Sequence, residues 1–440
     1  MRIFGESKTR LSIGVRFWLS SSEPDQEDDF RDRWICDQIP SYPLHHHSLI
    51  LPRKKFGYRQ NMDIEKFMRG KRPTWAEVNL GHLESNFRMV KEILGRDVKV
   101  MAVVKADAYG HGALPVAQRL ERCGVNSLAV AVLEEALELR KMGIRCPILL
   151  FNGFWSGQEE EIVHNNLTPA VFSLRMVQDL ARVANRLKTK ATYHFKIDTG
   201  MSRLGVDWTK AVETVEDSSS EQSVICEGIY THLSSAEIAG SPSNRIQIER
   251  FQNIVKSLEL KNFPLKWRHV ANSAGILNLR YGWFDGVRPG LVLYGISPLE
   301  QAVEMPLQPV LSFKTRIMQL RRVHKGTSIG YGGAYKTDQE SLIATLPVGY
   351  ADGLSRLLSN KGSVLIRGHK AAIVGRISMD LTLINVTHVP SVQVGDEVVL
   401  IGKQGTLEVV ANDLARLTLT IPYEILCGIS RRVPRIYVGA

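Results

Sequence analysis

The spacing of hydrophobic positions divides the chain into three parts. From about residue 73, helix-length amphipathic segments alternate with short runs that are apolar throughout. After about Met305, short β-type segments are separated by Gly and Pro. Neither pattern is present before about residue 70. We therefore expect an extension over residues 1–70, a first domain over 71–305 and a mainly-β second domain over 306–440.

The apolar runs of the first domain predict eight strands. They cover residues 98–105, 127–131, 147–151, 167–171, 191–197, 224–231, 267–270 and 284–288. Strands without polar alternation are typically buried on both faces, and their alternation with helices favours a parallel sheet. Eight such units in about 230 residues predict an α/β fold of the (β/α)8 TIM-barrel type. A doubly wound open sheet is the alternative.

The first 70 residues do not fit this scheme. Their mixture of acidic and basic runs predicts a poorly ordered extension, or an over-extended start with translation beginning at Met62. Gly14 and Arg16 interrupt the early apolar stretch, which argues against a secretory signal. The consecutive histidines 45–47 cannot all face one ion without a strained backbone, so we expect no metal site.

Composition narrows the class of protein. The chain is 44% hydrophobic and 23% charged, as in soluble globular proteins, and no apolar run approaches the ~18 residues of a membrane-spanning helix. Its 5 cysteines form no Cys-x-x-Cys pair, which favours reduced thiols and a cytoplasmic location. The net charge of +11 is spread along the chain, so neither a nucleic-acid nor a membrane partner is expected.

Polar residues stand where several predicted strands end. They are Lys105, Lys196 with Asp198, His232 and Arg288. In a (β/α)8 barrel the catalytic groups lie at the carboxyl ends of the strands. Burial of a lysine at such a position lowers its pKa, and the free amine can then form a Schiff base with a carbonyl. Lys105 begins the sequence Lys-Ala-Asp-Ala-Tyr-Gly-His-Gly, whose glycines would allow close approach to a ligand. An ordinary surface lysine is the alternative.

An ordered series of motifs resembles the alanine racemases, which are pyridoxal-phosphate enzymes of the barrel fold type. The motifs lie at residues 74–80, 102–112, 196–205, 231–232, 271–273, 288–290 and 294–295, and in the β domain at 330–332, 349–353, 378–380 and 422–424. The resemblance covers the chain from about Pro73 onward. Two places depart from the residues most common in the family: Ser202, where glycine is frequent, and residues 233–236.

This resemblance implies a two-base racemisation of an amino acid. Lys105 would hold pyridoxal 5'-phosphate covalently and then act as the base on one face of the substrate. Tyr331, donated by the neighbouring subunit of a homodimer with shared sites, would act on the other face. His232 would join Tyr331 to Arg288 by hydrogen bonds. Arg288 would face the pyridine nitrogen and keep it unprotonated, because arginine does not readily lose its proton.

The remaining site residues are also implied by the resemblance. Substrate would be bound by Arg203, whose guanidinium matches a carboxylate, and by Met379. Lys196 aligns with a lysine that is often carbamylated in the family. The cofactor would also contact Tyr109, Ser273, Gly290, Leu291 and Tyr423. Supporting roles would fall to Lys196, Asn272, Tyr350 and Asp380.

The function implied is interconversion of L- and D-alanine, supplying D-alanine for peptidoglycan. An aromatic residue at Tyr423 would keep the pocket small and favour alanine over larger amino acids. The alternatives are a broad-specificity or serine racemase of the same fold, a barrel-type amino-acid decarboxylase, and a pyridoxal-phosphate carrier. Arg288 and Tyr331 argue against the last two.

Overall fold

The computed structural model describes residues 68–299 and 305–439. The predicted extension, including the consecutive histidines and Met62, lies outside the described residues apart from its last few positions. The described part contains the helix α1 (Leu80–Leu94). The Asn79 side chain accepts hydrogen bonds from the amides of Gly81 and His82, so this asparagine caps the helix.

The eight predicted strands form a parallel barrel. In chain order they are β2 (Lys99–Val103), β3 (Ser127–Val130), β4 (Ile148–Leu150), β5 (Thr168–Val171), β6 (Ala191–Asp198), β8 (Val224–Tyr230), β9 (Trp267–Asn272) and β10 (Gly286–Arg288). Each pairs with its neighbour in that order, β10 pairs with β2, and β5 pairs with β6, so the sheet is closed. A two-residue strand, β7 (Val206–Asp207), pairs with the end of β6. The predicted (β/α)8 barrel is confirmed.

Helices connect the strands on the outside of the barrel. They are α2 (Ala113–Arg122), α3 (Leu133–Lys141), α4 (Glu159–His164), α5 (Leu174–Arg186), α6 (Ala211–Asp217), α7 (Pro242–Leu260) and α8 (Ser273–Asn278). Their buried residues recur at helical spacing, as Val177, Leu180, Ala181 and Ala184 do in α5. Each helix therefore covers the sheet with one apolar face. None of the helices in the described part of the chain is long and apolar enough to cross a membrane.

The second part of the chain is mainly β, as predicted. Its strands are β11 (Leu311–Arg316), β12 (Gln319–Val323), β13 (Ser328–Ile329), β14 (Tyr335–Lys336), β15 (Ser341–Leu346), β16 (Ser363–Ile366), β17 (His369–Ile373), β18 (Thr382–Asn385), β19 (Glu397–Gln404), β20 (Leu407–Val409) and β21 (Arg435–Val438). Together with β1 (Thr74–Asn79), the main sheet has the order β12-β15-β18-β17-β16-β19-β11-β1-β21. This part also contains two helices, α9 (Ala411–Thr418) and α10 (Pro422–Cys427).

The strand that precedes the barrel belongs to the β sheet. β1 (Thr74–Asn79) lies inside the range assigned to the barrel from sequence, yet it pairs antiparallel with β11 and parallel with β21. Arg72, just before β1, donates two hydrogen bonds to the buried carboxylate of Asp352. One continuous hydrophobic core runs through both domains in the described residues. The chain therefore enters the barrel from the β domain.

Candidate active site

Lys105 lies at the mouth of the barrel, on a turn of unusual backbone. It follows β2, and the next four residues, Ala106, Asp107, Ala108 and Tyr109, all have φ between 52° and 54°. Left-handed conformation costs non-glycine residues roughly 1–2 kcal/mol each. The surrounding structure must therefore hold this turn in place.

Two carboxylates hold the turn through its backbone. Glu135 accepts from the amide of Ala106 at 2.6 Å and from the amide of Ala131 at 2.8 Å, so it ties the turn to the end of β3. Asp107 accepts from the amide of Ala113 at 2.7 Å, at the start of α2. These contacts fix the position from which the Lys105 side chain extends.

The glycines of the same motif have a role different from the one expected from sequence. A Cβ on Gly110 would lie 2.4 Å from the carbonyl oxygen of Leu426, and a Cβ on Gly112 would lie 1.9 Å from the hydroxyl of Tyr437. Both glycines therefore allow the turn to pack against the C-terminal segment.

The Lys105 amine is in an environment that favours its neutral form. Burial and the nearby positive charge of Arg203 lower the pKa of this lysine, against a smaller opposing effect of Glu135. Lys196 lies in the same mouth, where burial, Arg203 and Arg288 lower its pKa to about 8. Four cations that were predicted as site residues are thus close together: Lys105, Lys196, Arg203 and Arg288.

Arg288 is the most deeply buried of these cations, with 2% of its surface exposed. One terminal nitrogen, Nη1, donates to the carbonyl oxygen of His269 at 2.9 Å and contacts His269 Nδ1 at 2.8 Å. The other, Nη2, donates to the carbonyl oxygens of Thr231 and Val270 at 2.7 and 2.8 Å. Among contacts with described residues, none uses Nε. That N–H is the donor left for a ligand.

Burial lowers the pKa of Arg288 to about 10, and the guanidinium stays charged at neutral pH. His232 lies 3.5 Å from Nη2 through its Nδ1, whereas His269 makes the shorter contact. Burial and the charges of Arg288, Arg203, Lys196 and Lys105 lower the pKa of His232 well below its usual value, so this ring is neutral. His269 was missed from sequence, and the signal available was a histidine within the apolar run of β9.

The loop that carries Arg203 is folded around a carboxylate. Asp198, at the end of β6, accepts from the amides of Gly200 and Met201 at 2.9 Å each. Burial alone would raise the pKa of Asp198, but these and neighbouring amides lower it below its usual value. Ser202 adopts a φ of 57°, a left-handed conformation that glycine takes more readily. Ser202 thus keeps the backbone conformation that the glycine frequent in the family would favour.

Ser273 and Gly290 form a compact polar corner beside the turn. The hydroxyl of Ser273, at the start of α8, accepts from the amide of Gly290 at 2.8 Å, and Asn272 caps the same helix by accepting from the amide of Gly275. Any Cβ on Gly290 would lie 2.5 Å from the hydroxyl of Tyr109. Leu291 continues from this corner into a short 3-10 helix.

Aromatic rings enclose this corner. The ring of Tyr109 lies 5.0 Å from that of Tyr294 and 5.6 Å from that of Tyr423, centroid to centroid. Burial raises the pKa of Tyr109 and of Tyr423, so both phenols keep their protons and can donate them. The predicted cofactor contacts Tyr109, Ser273, Gly290, Leu291 and Tyr423 are thus close together in the fold.

These residues fit pyridoxal phosphate by the chemistry of their donors. The corner offers hydroxyl groups, and the missing side chain of Gly290 makes room for the hydroxyl of Tyr109 there, which suits a phosphate group. Arg288 offers one N–H that suits a ring nitrogen, and Lys105 offers an amine. In the described residues, no group of three or more metal-binding side chains is present.

Four predicted site residues lie apart from the barrel mouth, on the β domain. Tyr331, Tyr350 and Met379 are 70%, 42% and 52% exposed, and Asp380 pairs with Arg432 at 2.6 Å. Two of them are adjacent, because the amide of Tyr350 donates to the carbonyl oxygen of Ser378, next to Met379. None of the hydrogen bonds or ring contacts among the described residues joins these four side chains to Lys105 or Arg288.

Comparison with known proteins gives matches along nearly all of the described chain. Family models for the alanine racemase N-terminal domain and C-terminal domain match residues 78–298 and 310–437. Alanine racemase 2 of Caldanaerobacter subterraneus subsp. tengcongensis is 46% identical over 369 residues, which cover 83% of this chain and 95% of the relative. The alanine racemase of Halothermothrix orenii is 46% identical over 367 residues, with coverages of 83% and 97%.

Solved structures give the same result. The alanine racemase of Clostridium difficile 630 superposes with a TM-score of 0.80 at 37% identity, covering 83% of this chain and 96% of that one. An alanine racemase from Bartonella henselae, described with covalently bound pyridoxal phosphate, superposes with a TM-score of 0.74 at 33% identity, with coverages of 83% and 99%.

Proposed function

The chain belongs to the alanine racemase family, and on that premise we propose that it is an isomerase that interconverts L- and D-alanine with pyridoxal phosphate. The observation that carries the proposal is the convergence of Lys105, Lys196, Arg203 and Arg288 at the carboxyl ends of the barrel strands. These cations suit an anionic cofactor and a carboxylate substrate.

Residues of the barrel would hold the cofactor. Lys105 would attach it covalently, and Arg288 would offer its Nε–H to the pyridine nitrogen. Its phosphate would be held by Ser273, Gly290, Leu291, Tyr109 and Tyr423. Pyridoxal phosphate, when bound, supplies an electron sink that acidifies the Cα–H bond of an amino acid. Because Arg288 stays protonated, it would leave the pyridine nitrogen without a proton, which would weaken that sink and limit side reactions.

Inversion at Cα needs a proton removed on one face and returned on the other. The amine of Lys105 serves one face, and burial together with the charge of Arg203 lowers its pKa, which favours the proton-accepting form. The hydroxyl of Tyr331 serves the opposite face. His232, being neutral, can accept from Arg288 at Nδ1, which leaves its Nε2–H to donate to the oxygen of Tyr331.

In this proposal Tyr331 comes from a second copy of the chain. It is 70% exposed on the β domain, with no contact to Lys105 among the described residues. Tyr350, Met379 and Asp380 share this exposed location. A homodimer in which each β domain covers the partner's barrel mouth would bury all four and complete two sites. The enzyme would act in the cytoplasm and supply D-alanine for peptidoglycan synthesis.

Racemase activity is tested with purified protein loaded with pyridoxal phosphate. We expect pure L-alanine and pure D-alanine to lose optical rotation and reach the same equal mixture. Tyr423 narrows the pocket, so L-serine and L-lysine should react more slowly than L-alanine. No racemisation of alanine, or faster turnover of serine or lysine, would contradict the proposal.

Substitution of Arg203 by lysine should weaken substrate binding. A guanidinium can bind both oxygens of a carboxylate, whereas an ammonium is a single point charge. We expect the KM for alanine to rise about tenfold while kcat changes less. Steady-state kinetics in both directions measure this, and Arg245→Lys, on the exposed face of α7, is the matched control. An unchanged KM would argue against the carboxylate assignment.

Lys196 should react with carbon dioxide. Its pKa of about 8 leaves much of the amine uncharged at mildly alkaline pH, and a carbamate would place a negative charge among Arg203, Arg288 and Lys105. Labelling with isotopic CO2, followed by NMR, should detect one carbamate at Lys196. Since only the free amine reacts, labelling should decrease as the pH falls below 8. Lys196→Arg should remove the signal, and its persistence in that variant would exclude Lys196.

A further inference from the structure

A chain of three side chains leads away from Arg288 through the inside of the barrel. Arg288 on β10 contacts His269 on β9, and His269 Nε2 lies 2.9 Å from His194 Nδ1 on β6. His194 Nε2 lies 3.9 Å from a carboxylate oxygen of Glu227 on β8, which is an electrostatic contact rather than a hydrogen bond. The four residues stand on strands that are consecutive in the sheet.

The hydrogen bonds assign one tautomer to each histidine. Arg288 can only donate, so His269 Nδ1 must accept and the proton of this ring is on Nε2. That proton is donated to His194 Nδ1, which leaves the proton of His194 on Nε2, facing Glu227. Burial lowers the pKa of both rings, so each carries a single proton. Every donor in the chain therefore points from Arg288 toward the carboxylate.

Local packing is arranged for this chain. A Cβ on Gly228 would lie 3.0 Å from His194 Cε1 and 2.6 Å from Trp267 Cβ, so the neighbouring glycine leaves room for the His194 ring. The ring of His269 stacks on that of Tyr230 at 4.8 Å, and the Arg288 guanidinium lies over the same ring at 5.2 Å. Movement of either group is therefore restricted.

Arg288 needs such support because it is a buried cation. Its bonds with described residues go to carbonyl oxygens and imidazole nitrogens, and none goes to a carboxylate. Burying a charge without a counter-charge is unfavourable. Glu227 is the acidic group at the far end of the chain, and its other oxygen lies 3.5 Å from Lys266.

We propose that His194 and Glu227 are positioning residues for Arg288. They hold the His269 ring with its unprotonated Nδ1 toward the guanidinium, and Glu227 provides the counter-charge of the buried cation. Neither residue touches substrate or cofactor in this arrangement. The inference rests on the proposed function in one respect, since the task of Arg288 toward the pyridine ring comes from it. The tautomers themselves do not depend on that function.

Two variants separate orientation from charge. Glu227→Gln keeps a polar oxygen facing His194 Nε2 but removes the negative charge, whereas Glu227→Ala removes both. The holoenzyme is prepared with isotope-labelled histidine, and nitrogen NMR of the rings reports which nitrogen is protonated. Signals are assigned from His194→Asn and His269→Asn. Lys266→Ala removes the other partner of Glu227 and is the local control, and Glu213→Gln, an exposed site on α6, is the charge control.

We expect Nε2-protonated rings at His194 and His269 in the wild type, in Glu227→Gln and in both controls. Glu227→Ala should give a mixture of tautomers, together with kcat about tenfold below wild type and little change in KM. Glu227→Gln should have an intermediate kcat. Unchanged tautomers in Glu227→Ala, or a kcat within about twofold of wild type, would overturn the proposal. If the wild type did not racemise alanine, the proposed function would be wrong. The NMR result would still test the proposed tautomers independently.

Discussion

Replacement of Lys105 by alanine is expected to lower the kcat for alanine racemisation by roughly three to four orders of magnitude, the range for loss of a positioned acid–base group that also binds covalently. The amine lies at the mouth of the barrel, where burial and Arg203 lower its pKa. No other lysine can replace it easily, because the strained turn over residues 106–109 sets its position. The absorption band of the covalently held cofactor should disappear in the same variant.

Lys190→Ala is the matched control. This exposed lysine directly precedes β6 at the opposite end of the barrel strands, so its loss removes the same charge without touching the mouth. We expect wild-type activity and an unchanged absorption band. A cofactor band that persists in Lys105→Ala would refute the assignment of the covalent lysine.

Replacement of Tyr331 by phenylalanine should impair proton transfer on one face of the substrate by roughly two to four orders of magnitude. The phenol is lost while the ring is kept. Exchange of the Cα hydrogen in deuterated water, measured separately from L- and D-alanine, should fall strongly for one enantiomer and much less for the other. Lys105 would continue to transfer the proton on its own face of the substrate.

Tyr281→Phe removes a phenol from another exposed tyrosine and should leave both exchange rates unchanged. An equal loss of exchange from both enantiomers in Tyr331→Phe would count against two separate bases. Retention of full racemase activity would remove Tyr331 from the site altogether.

The barrel could be predicted from sequence because its strands are apolar throughout and its helices are amphipathic. The sheet to which β1 belongs could not be predicted, since the sequence of one strand does not identify its partners. These partners, β11 and β21, lie more than 230 residues away. The left-handed turn was also beyond prediction. Ala106 and Ala108 do not favour positive φ, and contacts from Glu135 and the C-terminal segment impose it.

The site residues could be selected from sequence, and the structure adds how they are held. Lys105, Lys196 and Arg288 were found because polar residues at strand ends are conspicuous. His194 and His269 were not, because a histidine within an apolar strand is also compatible with simple packing in the core. Only the fold brings His194 Nδ1 within 2.9 Å of His269 Nε2, next to Arg288.

Subunit mixing tests the shared two-base site most directly. Lys105→Ala and Tyr331→Phe chains are each nearly inactive, but a hybrid dimer would combine Lys105 of one chain with Tyr331 of the other in one intact site. Random reassociation should restore about a quarter of wild-type racemase activity, because half of the dimers would be hybrids with one working site each. Activity that never exceeds the sum of the two separate variants would contradict a site built from two subunits.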